Sequence, residues 1–400
     1  MPWSERLFIL EIFSNVCAKI GYYLLKNKDM GLISIYRNTQ IGKKDAIKGL
    51  SLLIHFGIVG FTNYTGRGVR YFIKKAHFSI INYPVYIKYC EDVYGPHGSQ
   101  IAMEVLIRKK IGVSAIPEEL METTKKMIRD GVLTEESVNG VKRVKEESEK
   151  YLIFSKKSVD SKILTNFFYN DISQHFTENT KKVFSAIKSF YPAPSPLNRV
   201  LERCAEFQVV PESTGLSTPP NINETVQKHI KYLIGYGAVS GGYEMYQVNH
   251  ESYLDKIKKK VLLEYCDMYI GSTASTVLSM LLSKGYIEDK FIQKHLLLES
   301  QECKKTLFLL LSERFVSLQM IPRTADCAPS KSFHLWSANI RKVFGILEQK
   351  VQSKLNENYI ELSTLEENKL FTVPGEYKQK TDQIFGALEK LHTFCFILSL

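Results

Sequence analysis

One pattern of apolar and polar positions occurs four times along the chain: a helix-spaced apolar run, a polar or glycine break, and a short β-branched stretch. The copies read LSLLIHFGIVGF at 50–61, MIRDGVL at 127–133, KYLIGYGAV at 231–239 and LFLLLSERFVSL at 307–318. The breaks fall at Gly57, Gly131, Gly237 and near Arg314, which are 74, 106 and 77 residues apart. Because a winged-helix domain ends in a helix followed by a two-stranded ribbon, this spacing predicts a small domain used four times.

The first copy shows the full pattern. Helix-spaced apolar residues predict helices over 5–26, 31–38 and 43–56, and in the third of these Ile47, Leu50, Leu53 and Ile54 are expected to face inward. Two β-rich stretches then flank the glycine-containing turn YTGRG, as in a tight hairpin. Three helices followed by a ribbon are a winged helix.

The periodicity changes after the fourth copy. Apolar positions spaced by four and three residues are typical of the seam between two packed helices. They are Ile340, Phe344, Leu347 and Val351 in one stretch and Ile384, Leu388 and Leu391 in another. Since Pro374-Gly375 lies between them, we predict an antiparallel helical hairpin.

The predicted fold class is therefore mostly α with small β wings: four tandem winged-helix domains plus a C-terminal coiled-coil helical hairpin. The expected boundaries are 1–80, 81–157, 158–252 and 253–336 for the winged helices and 337–400 for the hairpin.

The net charge of the chain indicates what kind of partner to expect. Lys and Arg number 53 against 42 Asp and Glu, a formal net charge of +11. This excess favours an anionic partner, either nucleic acid or an acidic protein surface, although a modest excess can also have no function. The seven cysteines include no CxxC pair, so neither a disulfide framework nor a metal site is expected. No apolar run is long enough to cross a bilayer, and we predict no membrane partner.

Motifs for catalysis and cofactor binding are weak in this sequence. The glycines of GYGAVSGG at 235–242 resemble a dinucleotide loop, but the third glycine is displaced and no helix is predicted after it. The sequence contains no phosphate-loop, zinc-protease or nucleophile-elbow motif. We therefore predict no catalytic residue, no cofactor, no metal ion and no small-molecule substrate. An enzyme with an unrecognised site stays an open alternative.

Basic residues on two of the predicted winged helices are candidates for contact with DNA. The third helix of such a domain commonly faces DNA and its wing touches the backbone. The candidates are Lys43, Lys44, Lys48, Arg67, Arg70, Lys74 and Lys75 in the first domain and Lys256, Lys258, Lys259 and Lys260 in the fourth. Lysines would contact phosphates without selecting a sequence. The alternative for each cluster is an ordinary solvated surface.

Three segments resemble a known family. They are YPVYIKYCEDVYGPHGSQIAMEVL at 83–106, GGYEMYQVN at 241–249 and FVSLQMIPRTADCAPSKSFHLWSANIRKV at 315–343. Each is similar to the TFIIE-alpha-like subunits of RNA polymerase III, the largest members of its initiation heterotrimer. The resemblance implies a nuclear, non-catalytic polymerase subunit with four winged helices and a coiled coil. It would bind the other heterotrimer subunits and the clamp of the largest subunit, and would help to load and open promoter DNA with TFIIIB.

Candidate partner contacts follow from the fourth wing and the hairpin. The residues of this wing could form a partner site or be required only by the fold, and its two prolines favour contact because they indicate a stiff, shaped loop. The candidates are Arg323, Pro329, Ser330, Lys331 and Phe333 in the wing and Ile340, Phe344, Leu347, Val351, Ile384, Leu388 and Leu391 in the hairpin. The sequence leaves open a second function, a free-standing DNA-binding regulator built from tandem winged helices.

Overall fold

The structure is a computed structural model. It describes residues 14–27, 29–64, 68–74, 79–137, 150–190, 193–211, 221–242, 245–322, 332–368 and 374–400. Two compact units divide the chain: residues 1–88 together with 262–400 form one, and residues 89–261 form the other.

Four groups of helices and strands follow one another, and we call each group a module. The first contains α1 (Asn15–Asn27), β1 (Met30–Gly31), α2 (Leu32–Thr39), α3 (Lys43–His55), β2 (Val59–Tyr64) and β3 (Gly68–Ile73). After a 3₁₀ turn at Ser79–Asn82, the second contains α4 (Tyr83–Arg108), β4 (Ile111–Gly112), α5 (Glu118–Arg129), β5 (Leu133–Ser137) and β6 (Lys150–Phe154). Gly95 interrupts α4 with a non-helical backbone at φ 75°.

The third module follows α6 (Lys156–His175). It contains α7 (Glu178–Lys188), β7 (Ser195–Pro196), α8 (Leu197–Glu206), α9 (Ile222–Tyr236), β8 (Val239–Gly242) and β9 (Met245–Val248). After α10 (His250–Tyr269), the fourth contains α11 (Ser272–Lys284), β10 (Ile287–Glu288), α12 (Asp289–Leu296), α13 (Ser300–Ser312), β11 (Ser317–Pro322) and β12 (Ser332–Ser337). Two long helices complete the chain, α14 (Ile340–Glu367) and α15 (Pro374–Ser399).

All four modules share one sheet topology. Within the described residues, each forms an antiparallel three-stranded sheet in which the last strand lies between the other two. In the first, β3 pairs with β1 through Met30 and Tyr71 and with β2 through Val59 and Ile73. The expected fold class, mostly α with small β wings, is thereby confirmed. The domain boundaries given above stay a prediction.

The break between the third helix and the wing has the same backbone geometry in every module. Gly57, Gly131, Gly237 and Arg314 have φ of 74°, 69°, 82° and 64°. In the first module Gly57 N donates to Ile54 O and Ile58 N donates to Leu53 O, both at 2.9 Å. Equivalent pairs of bonds occur at the other three breaks. This is the Schellman ending of a helix, which requires a left-handed residue, and it confirms the predicted repeat.

One inward-facing residue of the first module was predicted wrongly. The buried face of α3 consists of Ala46, Gly49, Leu50 and Leu53, whereas Ile47 is 44% exposed. A β-carbon at Gly49 would lie 2.8 Å from Ile20 Cδ1 on α1. The missing side chain of Gly49 therefore lets α3 approach α1 closely, and Ile47 lies outside this contacting face.

The helices α14 and α15 pack against each other as a hairpin in the first compact unit. The buried line along α14 consists of Val343, Leu347, Val351 and Leu355, while Ile340 and Phe344 are only half-buried. Ile384, Leu388 and Leu391 of α15 are buried as the seam predicts. On α14 the spacing of four places Val343 in the seam, which the sequence pattern did not predict.

Candidate nucleic-acid and protein interfaces

The third helix of the first module presents a basic outer surface. Because α3 buries only one face, the lysines at the other positions face outward, and Lys43, Lys44 and Lys48 are all exposed. Lys74, directly after β3, is exposed as well. These four predicted residues are available to an anionic partner. Arg67 and Lys75 lie outside the described residues.

Arg70 is in a different position from these lysines. It lies on the central strand of the first sheet, opposite Gly31 on one side and Thr62 on the other. Its Nη1 donates to the carbonyl oxygen of Asp29 at 3.3 Å, in a partly buried contact. Part of its hydrogen-bonding capacity is therefore used within the module, which weakens its assignment as a contact to DNA.

Two of the four predicted lysines on α10 have partners within the chain, which weakens their assignment to a DNA-facing surface. Lys256 Nζ donates to the carbonyl oxygen of Tyr236 at 2.8 Å and lies over the ring of the same residue. Lys260 Nζ lies 3.3 Å from Asp171 Oδ1 and 3.0 Å from Gln174 Oε1. Lys258 and Lys259 are half-buried and stay a prediction.

The partner of Lys260 is the centre of a buried polar junction in the second compact unit, which we call the Asp171 junction. Asp171 on α6 is only 7% exposed. Its Oδ2 accepts hydrogen bonds from the hydroxyls of Tyr236 at 2.8 Å and Tyr253 at 2.9 Å. Burial by itself raises the pKa of Asp171, but the bonds from the two tyrosines and Lys260 outweigh it and place the pKa below its ordinary value. The carboxylate is held as an anion between three helices.

The fourth wing is described only outside its tip. Arg323, Pro329, Ser330 and Lys331 lie beyond the described residues. Phe333 on β12 is 38% exposed and lies opposite Ile321 on β11, which is 41% exposed. An exposed apolar pair of this kind fits protein contact better than contact with phosphates. Phe333 therefore stays a predicted partner contact.

The predicted partner contacts in the hairpin are corrected by burial. Leu347, Val351, Ile384, Leu388 and Leu391 are buried against the rest of the same chain. Ile340 and Phe344 are half-buried. The five buried side chains hold the hairpin together, so they are not accessible to another subunit.

The hairpin also contains a buried histidine that the sequence pattern did not single out. His392 on α15 is 7% exposed, and its Nδ1 lies 3.0 Å from the carbonyl oxygen of Ile81. Because a carbonyl only accepts, Nδ1 carries the proton, and Nε2 accepts from the Tyr359 hydroxyl at 2.7 Å. Burial lowers the pKa of His392 to about 4. We call this the His392 junction.

The described residues give no indication of a metal or membrane site. In this part of the chain, no group of three or more His, Cys, Asp or Glu side chains could hold a metal ion. None of the described helices combines the length and the apolar character needed to cross a membrane. Cys17, Cys90, Cys204, Cys266, Cys303 and Cys395 are buried free thiols.

Comparisons with known proteins cover most of the chain. Residues 266–338 match the family model "POLR3C, C-terminal winged-helix domain", which spans the fourth module. The chain is 22% identical to DNA-directed RNA polymerase III subunit RPC3 of Rattus norvegicus, over 96% of this chain and 87% of that protein. The RPC3 of Homo sapiens gives the same identity and coverage. That of Danio rerio is 31% identical over 39% of this chain and 29% of its own length.

Two findings agree on the family that the chain resembles. The relatives align with nearly the whole chain, so the similarity is not confined to one common winged helix. The family model matches the fourth module and overlaps the segment at 315–343 that resembles the same family. Over nearly its whole length the chain is therefore similar to RPC3, a subunit of RNA polymerase III.

Proposed function

We propose that the chain is a non-catalytic subunit of RNA polymerase III that acts in transcription initiation in the nucleus. The observation that carries this proposal is the similarity to RPC3 proteins over 96% of the chain. In this proposal the chain binds its partners through the surfaces of its modules, while nucleotide addition takes place in the large subunits of the polymerase. A fold built of repeated small modules suits this role, because each module offers a separate helix and wing to a partner.

The partners proposed are of two kinds. The protein partners are the other two heterotrimer subunits, the clamp of the largest subunit, and TFIIIB. The nucleic-acid partner is promoter DNA, which the chain would help to load and open. The formal net charge of +11 supports an anionic partner of either kind.

The outer surface of α3 is the best-supported place for DNA. Lys43, Lys44 and Lys48 are exposed on one helix, and Lys74 is exposed at the base of the wing. Lysine ammonium groups bind phosphate as point charges, so binding here would be independent of sequence. The proposed contribution is to hold the DNA backbone while other parts of the polymerase act on the bases.

Co-purification tests the polymerase assignment directly. The full chain is tagged in its own cells, and extracts are fractionated through high salt. A polymerase subunit is expected to stay with the two large catalytic subunits. Recovery of the chain alone, combined with a sequence-selective footprint by the purified chain, would instead support a free-standing regulator.

The salt dependence of DNA binding tests the α3 surface. Changing Lys43, Lys44 and Lys48 to Ala should reduce the slope of log affinity against log salt by roughly 0.9 for each phosphate that is no longer neutralised. The matched control changes Lys304 and Lys305, which are exposed on the equivalent helix of the fourth module, and should keep the original slope. An unchanged slope in the α3 variant would remove the first module from the DNA-facing surface.

A further inference from the structure

The third helix of the fourth module carries an exposed surface of mixed character. Cys303, Thr306, Leu307 and Leu310 form the buried face of α13. The outward positions include Lys304 and Lys305, followed one turn later by Phe308 and Leu309, which are 56% and 42% exposed. Together with Met320 on β11, these four residues are the α13 patch. Each lysine therefore lies one helical turn from an exposed apolar side chain.

Phe308 is fixed in place although it is exposed. Its ring packs edge-to-face on Trp336 of β12, with 5.7 Å between the ring centroids. Trp336 is itself 4% exposed, so the contact supports one side of Phe308 and leaves the other open. An aromatic side chain that is already ordered loses little entropy when a partner covers it.

The apolar surface continues from α13 onto the wing. Trp336 lies opposite Leu318, and His334 lies opposite Met320 in the next pair on the same face of the ribbon. Met320 is 56% exposed. A methionine adapts its shape to a partner because it is unbranched and polarizable. The patch thus combines one rigid apolar side chain with one adaptable one.

The lysines determine the kind of partner. Lys304 and Lys305 form no ion pair with any other described residue. Two cations beside exposed Phe308 and Leu309 are complementary to a segment that carries carboxylates next to apolar side chains. DNA would neutralise the cations but would leave the apolar side chains exposed, so a protein segment matches the patch better.

We propose that the α13 patch docks an acidic, apolar segment of another RNA polymerase III subunit. The inference rests on the proposed function, because it needs an assembled polymerase. The lysines pair with carboxylates at the rim, and Phe308, Leu309 and Met320 are covered at the centre, as in other protein interfaces with a few dominant apolar contacts.

Carbodiimide cross-linking of the assembled polymerase tests the chemistry of the partner. This reagent joins a lysine amine directly to a carboxylate, so it reports only an acidic neighbour in contact. We expect linked peptides that contain Lys304 or Lys305 and an Asp or Glu of another subunit. Cross-links only within the same chain, or none from these lysines, would overturn the proposal.

Variants of the full chain test the energetics. Lys304→Glu with Lys305→Glu, and separately Leu309→Ala, should each weaken retention on the polymerase about ten-fold in salt washes. Leu309 is chosen because, unlike Phe308, its removal leaves the contact with Trp336 intact. The matched control is Lys125→Glu with Arg129→Glu, at two exposed positions on α5 of the second module, which should leave this retention unchanged. Circular dichroism confirms that each variant is folded.

The outcomes separate the inference from the function it rests on. If the unaltered chain co-purifies with the polymerase but the α13 variants are retained as well as it is, the docking proposal fails and the subunit assignment stands. If the unaltered chain never joins the polymerase, the proposed function fails. Weaker binding of the α13 charge-reversal variant to duplex DNA, with normal retention on the polymerase, would identify a nucleic-acid surface and overturn the protein proposal.

Discussion

The Asp171 junction and the His392 junction each bury a titratable side chain, but the first buries it as an anion and the second as a neutral group. Each holds together segments far apart in sequence and keeps a titratable group almost fully buried. Asp171 is an anion satisfied by two tyrosine hydroxyls and an ammonium group. His392 is neutral and satisfied by one acceptor and one donor. A buried charge needs several donors, whereas a neutral imidazole needs only one partner on each nitrogen.

Removing the buried carboxylate of Asp171 is expected to have the largest effect on stability. Asp171→Ala leaves two tyrosine hydroxyls without their acceptor and Lys260 without its counter-ion, and should lower the free energy of opening α6 and α9 by about 3 kcal/mol. Hydrogen exchange at the amides of these helices measures it. Asp255→Ala, at an exposed position on α10, is the control and should change the value by less than about 0.5 kcal/mol. Equal changes in both variants would mean that the Asp171 junction stabilises these helices no more than an exposed side chain does.

Removing the imidazole should have a slightly smaller effect. His392→Leu fills the space but leaves the carbonyl of Ile81 and the hydroxyl of Tyr359 unsatisfied, and should reduce the free energy of opening α15 by about 2.5 kcal/mol. The same exchange measurement applies. His97→Leu, at an exposed position, should have almost no effect. A His392→Leu variant as protected as the unaltered chain would contradict the hydrogen-bonded junction.

The pH dependence separates the two junctions. His392 has a folded pKa of about 4 against an ordinary 6.5, so the unfolded chain binds the proton first as the pH falls. Its stabilisation is complete above pH 6.5 and declines as the pH falls towards 4, which should remove roughly 2 kcal/mol from the first compact unit between pH 6.5 and 5. His392→Leu should lack this slope. Asp171, whose pKa is lowered from 3.8, should lose its contribution only below that value.

The smallest expected effects test how many hydrogen-bond donors Asp171 and His392 Nε2 each have. Tyr359→Phe removes the hydroxyl that donates to His392 Nε2 and should cost about 1.5 kcal/mol. Tyr236→Phe should cost about 0.5 kcal/mol, because Asp171 keeps Tyr253 and Lys260. Urea unfolding of each variant, followed through exchange in the affected helices, gives the two values. A larger loss for Tyr236→Phe than for Tyr359→Phe would contradict this interpretation, in which Asp171 has several hydrogen-bond donors and His392 Nε2 has one.

The parts of the fold that follow from local sequence were predictable. Glycine after an apolar helix indicates a left-handed residue, and Gly57, Gly131 and Gly237 all have positive φ. The seam residues Ile384, Leu388 and Leu391 are buried because their spacing matches a helix that packs on one side. Both features are set by residues within a few turns of each other.

The errors arise where the partner is distant in sequence. Lys256 and Lys260 were expected to face DNA, but Asp171 is separated from Lys260 by 89 residues and gives no local signal. The contact between His392 and Ile81 joins residues 311 apart. Ile47 was misplaced for another reason: counting apolar positions ignores Gly49, whose missing side chain allows the close helix approach. Among the candidate interface residues, the exposure of the α3 lysines could be predicted, whereas on α10 Lys256 is half-buried and Lys260 is exposed but bonded to Asp171.

Arg314 has a wider consequence for tracing this architecture in other sequences. Three breaks use glycine, but the fourth uses arginine with the same left-handed backbone and the same two hydrogen bonds. The break between helix and wing is therefore marked by the two backbone hydrogen bonds and not by the identity of the residue. Counting copies by glycine alone would stop at three and would overlook the stretch that carries the family match.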